Sequence, residues 1–261
     1  MATSKFFTVD VRPTIPASIQ HLGAFSAGNV LFDWTAVQIP KGSALLRSVT
    51  ALVRPKGDAT PTANRFSFDL LFSSTDTVSL GTLHAAAAHT PSNDFLGRIE
   101  FESANYSHSA LQSTAVATSG KGSNSGMDLG PLVLTPKMTD PVNYTYQTPG
   151  FDTVYVGGIA TDAFDFSSIT AIAEDTAAGN AASQAITTDG TSMDNTAHFI
   201  AGDVLHIGTS AGTPAADSLI GTVDSVAART ITLTDTSATD LVDGDILYNI
   251  HPIKLILSFE R

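Results

Sequence analysis

The chain has 261 residues, enough for one large or two small domains around a sizeable core. It contains no cysteine, which excludes a disulfide framework, a thiolate zinc site and a cysteine nucleophile. Thirteen Lys and Arg stand against 25 Asp and Glu; the net charge of −12 repels phosphate backbones and anionic membranes, so neither nucleic acid nor a membrane is an expected partner.

The opening stretch, MATSKFFTVDVRP, lacks the apolar segment of a signal peptide, and no apolar run approaches the length of a membrane span. In that setting the sequons at Asn105 and Asn143 read as chance. Strand signals then follow one another. Phe7, Val9 and Val11 alternate within KFFTVDVR. Further β runs are expected at 29–39, 44–54, 65–74, 77–84, 97–103, 130–135 and 151–160, most ending at Pro, Gly or Ser/Asp clusters. In the run 65–74, Phe66, Phe68, Leu70 and Phe72 share one face. HAAAAH (84–89) suggests a single helical turn. Later runs at 198–208, 218–228, 229–235 and 243–250 are also β, while 174–197 reads as a long polar excursion. The last run, HPIKLILSFER, places Ile253, Leu255, Leu257 and Phe259 on one face and Ile256 on the other. Many short strands without long helical periods predict an all-β fold, an antiparallel β-sandwich of jelly-roll type with an inserted small β-barrel.

The insertion is read from composition. Residues 167–249 carry one basic residue, Arg229, and eleven acidic ones, for a net charge of −10, leaving −2 for the rest. Aromatic residues thin out over the same span, where only Phe199 and Tyr248 remain. Two independent properties shifting together indicate two domains. The expected division is a sandwich from residues 1–166 plus 250–261 and an acidic inserted barrel from residues 167–249, with 251–261 returning to the first sheet.

Within the insert two phrases nearly repeat, AGDVLHIG (201–208) and VDGDILYN (242–249), their glycines Gly202 and Gly244 lying 42 residues apart. A Gly–Asp pair before an aliphatic strand is a turn device: Gly accepts positive φ and Asp bonds nearby amides. The competing reading is Ca²⁺ held by Asp243, Asp245 and Asp240, but the spacing lacks the remaining ligands of an EF-hand loop and its terminal Glu. Turns are therefore expected, with no metal and no cofactor.

Catalytic patterns are not found. His84 and His89 are five apart rather than the four that align two zinc ligands on a helix, and His21, His108, His198, His206 and His251 are scattered. The stretch SGKGSNSG (119–126) has Ala115 and Gly122 where a Walker loop requires Gly and Ser or Thr. Glu100 and Glu102 lie on one strand face, opposite Ile99 and Phe101, as a solvated face would. No catalytic residue is assigned, and the chain is expected not to be an enzyme.

The pattern AGDVLHIGT…LIGTVDSVAARTITLTD…LVDGDILY resembles segments of virion structural proteins of tailed bacteriophages, over roughly the last third of the chain. The resemblance implies a non-enzymatic particle component in many copies. The leading expectation is a capsid decoration or cement protein on the particle exterior. Its partners would be the major capsid protein and copies of itself, with a homotrimer as the assembly the analogy suggests. Strands 65–74 and 253–259 are the expected sources of edges and faces for contacts between copies. The alternative is a tail or fibre component binding a host glycan through Trp34 or the Tyr144/Tyr146 pair; a secreted polysaccharide hydrolase is a third class.

Overall fold

The computed structural model describes residues 5–40, 42–55, 62–88, 94–107, 114–119, 132–135, 151–166, 171–174, 183–188, 198–209, 215–242 and 244–261. The molecule is all-β, an antiparallel sandwich joined to a closed barrel. One sheet of the sandwich contains β1 (Phe6–Val11), β3 (Ala44–Val53), β6 (Ala115–Ser119), β7 (Leu132–Leu134) and β15 (Ile253–Glu260). Its order is β1-β15-β3-β6, with β7 also paired to β3. The other sheet contains β2 (Val30–Pro40), β4 (Phe68–Ser73), β5 (Phe95–Phe101) and β8 (Phe151–Ala160), in the order β2-β8-β4-β5.

Period-two burial explains why these runs are strands. In β15, Ile253, Leu255, Leu257 and Phe259 are fully buried, and the residues between them are partly exposed. Opposite them, Phe66, Phe68, Leu70 and Phe72 enter the same core. Aromatic pairs fill its end: Phe25 stacks on Phe164 at a centroid distance of 5.0 Å, and Phe68 stacks on Phe101 at the same distance.

Two local expectations are corrected. Residues 77–84 form no strand: Gly81 (φ +137°) and His84 (φ +62°) leave the extended region, and the segment folds over β2 so that Leu80 is buried. Residues 84–88 form no helical turn, because the left-handed His84 is followed by Ala86 bridging to Asn29; His89 lies outside the described residues. The one α-helix among the described residues is α1 (Ala17–His21), between β1 and β2. It starts where the Pro16 carbonyl accepts the amides of Ile19 and Gln20.

The barrel comprises β9 (Ala171–Glu174), β10 (Ala185–Thr188), β11 (Val204–Thr209), β12 (Leu219–Ala227), β13 (Thr230–Leu233) and β14 (Asp245–Asn249). They close in the order β10-β13-β12-β11-β14-β9, every pair antiparallel. The strand β10 falls inside the span read from sequence as a long excursion. The barrel has its own core, built from aliphatic side chains such as Leu205, Ile207, Ile220, Ile231 and Leu247 with a single phenylalanine, Phe199.

The barrel is internally duplicated. Exchanging β9, β10 and β11 with β12, β13 and β14 reproduces the strand order, and the registers agree. Thr188 opposite Ala173 corresponds to Leu233 opposite Val223. Leu205 opposite Gly221 corresponds to Leu247 opposite Ala171, and Val204 opposite Thr222 to Ile246 opposite Ile172. An approximate two-fold axis thus passes between β11 and β14 and between β10 and β13. The near-repeated phrases of the sequence are its two copies of one turn.

Candidate functional site

Those two turns have the same geometry. Asp203 N–H donates to the Ile200 carbonyl and Asp245 N–H to that of Val242, both at 3.1 Å. The third turn residue is Gly202 (φ +88°) or Gly244 (φ +92°), as a type II turn requires. Each carboxylate then reaches back to the first residue of its turn. Asp203 Oδ2 accepts Ile200 N–H at 3.0 Å, and Asp245 Oδ2 accepts Val242 N–H at 2.9 Å. Both Asp side chains are buried. Asp243 lies outside the described residues, and among the described residues no group of three or more His, Asp or Glu is placed to hold a metal ion.

One of the two turns does more. Arg54, just past the end of β3, donates from Nη2 to both carboxylate oxygens of Asp203, at 2.7 and 2.9 Å. Asp203 is 4% exposed and Arg54 16%, so this charge pair is largely removed from water. It crosses the seam between sandwich and barrel, where the buried Gln20 and Asn249 also meet.

The helix α1 forms the other half of the seam. Ser18 donates its amide to Asp217 Oδ1 at 2.8 Å and its hydroxyl to Asp217 Oδ2. Gln20, buried, donates from Nε2 to the carbonyls of Ile15 and Asn249 at 2.7 and 2.8 Å. His21 Nδ1 lies 3.1 Å from the Tyr248 hydroxyl. Burial, and secondarily the Asp165 carboxylate, push that phenol well above its usual range, so it stays protonated. Backbone bonds continue the seam, from Ile15 N–H to the Ile250 carbonyl and from Arg54 N–H to that of Pro252. Gly208 permits the close approach: a Cβ there would sit 2.4 Å from the Tyr248 ring and 3.3 Å from the Ala17 carbonyl oxygen.

Elsewhere, carboxylates act as staples for backbone amides. Asp33 holds Leu80 N–H at 2.9 Å, Asp152 holds Gly42 N–H at 2.5 Å, and Asp162 holds both the amide and the hydroxyl of Ser67. The histidines are dispersed: His206 Nδ1 is 2.6 Å from the Asp217 carbonyl, His251 Nδ1 3.2 Å from that of Pro13, and His84 Nε2 3.2 Å from that of Gly23. His108 and residues 120–126 lie outside the described residues.

The sequence pairs Glu100 with Glu102, but the register sets Asp69 directly opposite Glu100 on the outer face of the second sheet. Arg98 bridges them, 2.9 Å from Asp69 and 3.7 Å from Glu100. Burial raises the Asp69 carboxyl above its usual range, and Arg98 opposes that shift only in part. Trp34 is half-buried and donates Nε1–H to the Val78 carbonyl at 2.7 Å, tying down the segment that covers β2. Tyr144 and Tyr146 lie outside the described residues.

Arg54, Ser18 and Asp217 carry no motif. The one cue in the sequence is an arginine ending the apolar run 44–54, at the place where a strand leaves its core. No family model, curated protein or solved structure matches the chain.

Proposed function

We propose that the chain is a structural protein of a tailed-phage virion, a capsid decoration or cement protein that binds the assembled shell and stabilises it without catalysing a reaction. The observation that carries the reading is the division of the molecule into an acidic barrel and a nearly neutral sandwich, fixed to one another by a buried polar seam. The barrel segment holds −10 of the net −12. A surface of that kind stays solvated, while the sandwich is free to pack against protein.

The strand order adds support. If β6 and β7 count as one position, the sandwich sheets read first–eighth–third–sixth and second–seventh–fourth–fifth, the winding of a jelly roll with the barrel carried between its last two strands. Viral capsid domains and lectins both use that winding, so strand order alone does not separate the shell role from glycan binding on a tail or fibre. Trp34, the glycan candidate among the described residues, has its Nε1–H engaged by the Val78 carbonyl, so it would offer a sugar its ring face alone.

The experiment is particle stability. Virions lacking the chain should release DNA at lower temperature than complete ones, and added purified protein should restore them. Stripped particles that are equally stable but fail to attach to cells would replace the shell reading with the host-binding one.

A further inference from the structure

Among the described residues the two sheets end in four edge strands, β1, β2, β5 and β6, and two of these receive backbone bonds from segments outside the sheets. On β2, Val30 exchanges bonds with the folded-over segment: its amide donates to the Ala85 carbonyl, and His84 N–H donates to its own carbonyl, both at 2.9 Å. On β6, Ser107 N–H donates to the Val116 carbonyl at 2.7 Å and Tyr106 bridges to Ala117. Against β5 the contact is a side chain rather than a backbone bond: Leu132 of β7 lies so close to Gly97 that a Cβ at 97 would meet it at 2.6 Å. The strands 65–74 and 253–259, expected from sequence to offer edges, do not: β4 is paired with β5 and β8, and β15 with β1 and β3.

The fourth edge is β1. Among the described residues β15 is its only strand partner. Lys5 and Arg261 exchange both of their backbone bonds, and the register continues through Phe7–Phe259, Val9–Leu257 and Val11–Leu255. By the alternation of an antiparallel ladder, Phe6, Thr8 and Asp10 therefore aim their N–H and C=O groups away from the sheet. This edge has no proline and no bulge, two common protections of an exposed strand. Its side chains are also incompletely covered. Phe6 is 73% exposed, and Phe7 and Val9, on the core-facing side, are only partly buried.

We propose that β1 pairs antiparallel with β1 of a second copy, joining two sandwiches into one continuous sheet about a two-fold axis at Thr8. The occupant is argued from self-complementarity and charge. About Thr8, Phe7 falls opposite the partner's Val9 on the core-facing side, so each copy closes the other's open core margin. The barrel lies beyond the C-terminal end of β1, where Ile15 bonds Ile250. Antiparallel pairing sends the two acidic barrels to opposite ends of the joined sheet, whereas parallel pairing would set them side by side. The inference is independent of the virion reading: a dimer in solution is compatible with either of the functions weighed above.

Sedimentation of the full chain at about 100 μM should show a dimer. Thr8→Pro removes one outward N–H, which an edge strand tolerates in the isolated copy, and should leave a folded monomer. Thr8→Cys creates the only thiol in the chain. Under mild oxidation it should give a covalent dimer, while Val78→Cys, an exposed position off this edge, should not. A wild-type monomer at that concentration, a Thr8→Pro chain as dimeric as the wild type, or no excess crosslinking of Thr8→Cys over Val78→Cys would each overturn the proposal. Should Thr8→Pro fail to fold, the cysteine pair decides.

Discussion

Replacing Arg54 with methionine tests whether the seam holds the two bodies together. Methionine keeps much of the apolar stem and removes two charge-assisted bonds to Asp203. Asp203, 4% exposed, is then left with the Ile200 amide as its remaining identified donor. Breaking a fully buried ion pair from one side costs about 3–5 kcal/mol. The 16% exposure of Arg54 gives water some access, which places the expected loss at about 2–3 kcal/mol. For a chain of this size that is a fall in Tm of roughly 4–12 °C. The control is Lys254→Met. Its bond to Asp10 is as short, 2.6 Å, but the two side chains are 33% and 55% exposed, so the change should stay within about 0.5 kcal/mol. Urea unfolding followed by circular dichroism reads both bodies, and fluorescence of the single tryptophan, Trp34, reads the sandwich alone. The double variant Arg54→Met/Asp203→Asn should recover a large part of the loss, with a coupling energy above about 1 kcal/mol. If Arg54→Met behaves like Lys254→Met, the seam is a geometric contact without energetic weight.

Two further outcomes follow from local geometry. Gly202→Ala meets no atom within 4 Å, so its cost is that of φ +88° alone, about 1–2 kcal/mol, whereas Gly158→Ala drives a Cβ to 2.3 Å from the Phe32 ring and should cost more; urea unfolding of the two variants gives the order. Asp69 titrates above its unfolded value, so its ionisation opposes folding as pH rises through and beyond the carboxylate range. Asp69→Asn should therefore gain stability relative to wild type between about pH 4 and pH 7, read as a difference in Tm; a relative loss over that interval would show that Arg98 outweighs burial.

The all-β character was legible because alternation survives wherever one strand face is buried and the other is not, as in 253–259. Segments whose shape depends on distant partners were not. Residues 77–84 alternate like a strand, yet Asp33, Trp34 and Val30 bend them over β2. The short strands β6 and β10 each carry a single larger aliphatic residue, Val116 or Ile186, among Ala, Ser and Thr, which leaves little alternating hydrophobic signal. Helix α1 is five residues long and held by Gln20 and Ser18 against the barrel, so nothing periodic announces it. The paired Gly–Asp phrases showed a shared turn, but the duplication behind them is visible only in strand register, because the two halves keep their apolar pattern with few identical residues. The seam was not legible: an arginine and an aspartate far apart in sequence form a pair only once both bodies exist.

The position of β15 sets a timetable for folding. It is an interior strand, bonded to β1 on one side and β3 on the other, yet the whole barrel is encoded between it and β8. On a ribosome adding about 5–20 residues per second, β1 and β3 exist for on the order of 10–40 s before the strand that joins them is made. Through that delay the first sheet has a gap at its centre, and its apolar faces are open to self-association. The barrel, whose strand pairings all lie within its own segment, needs no such wait. Chains truncated before residue 253 and released should thus carry a finished barrel on an unfinished sandwich.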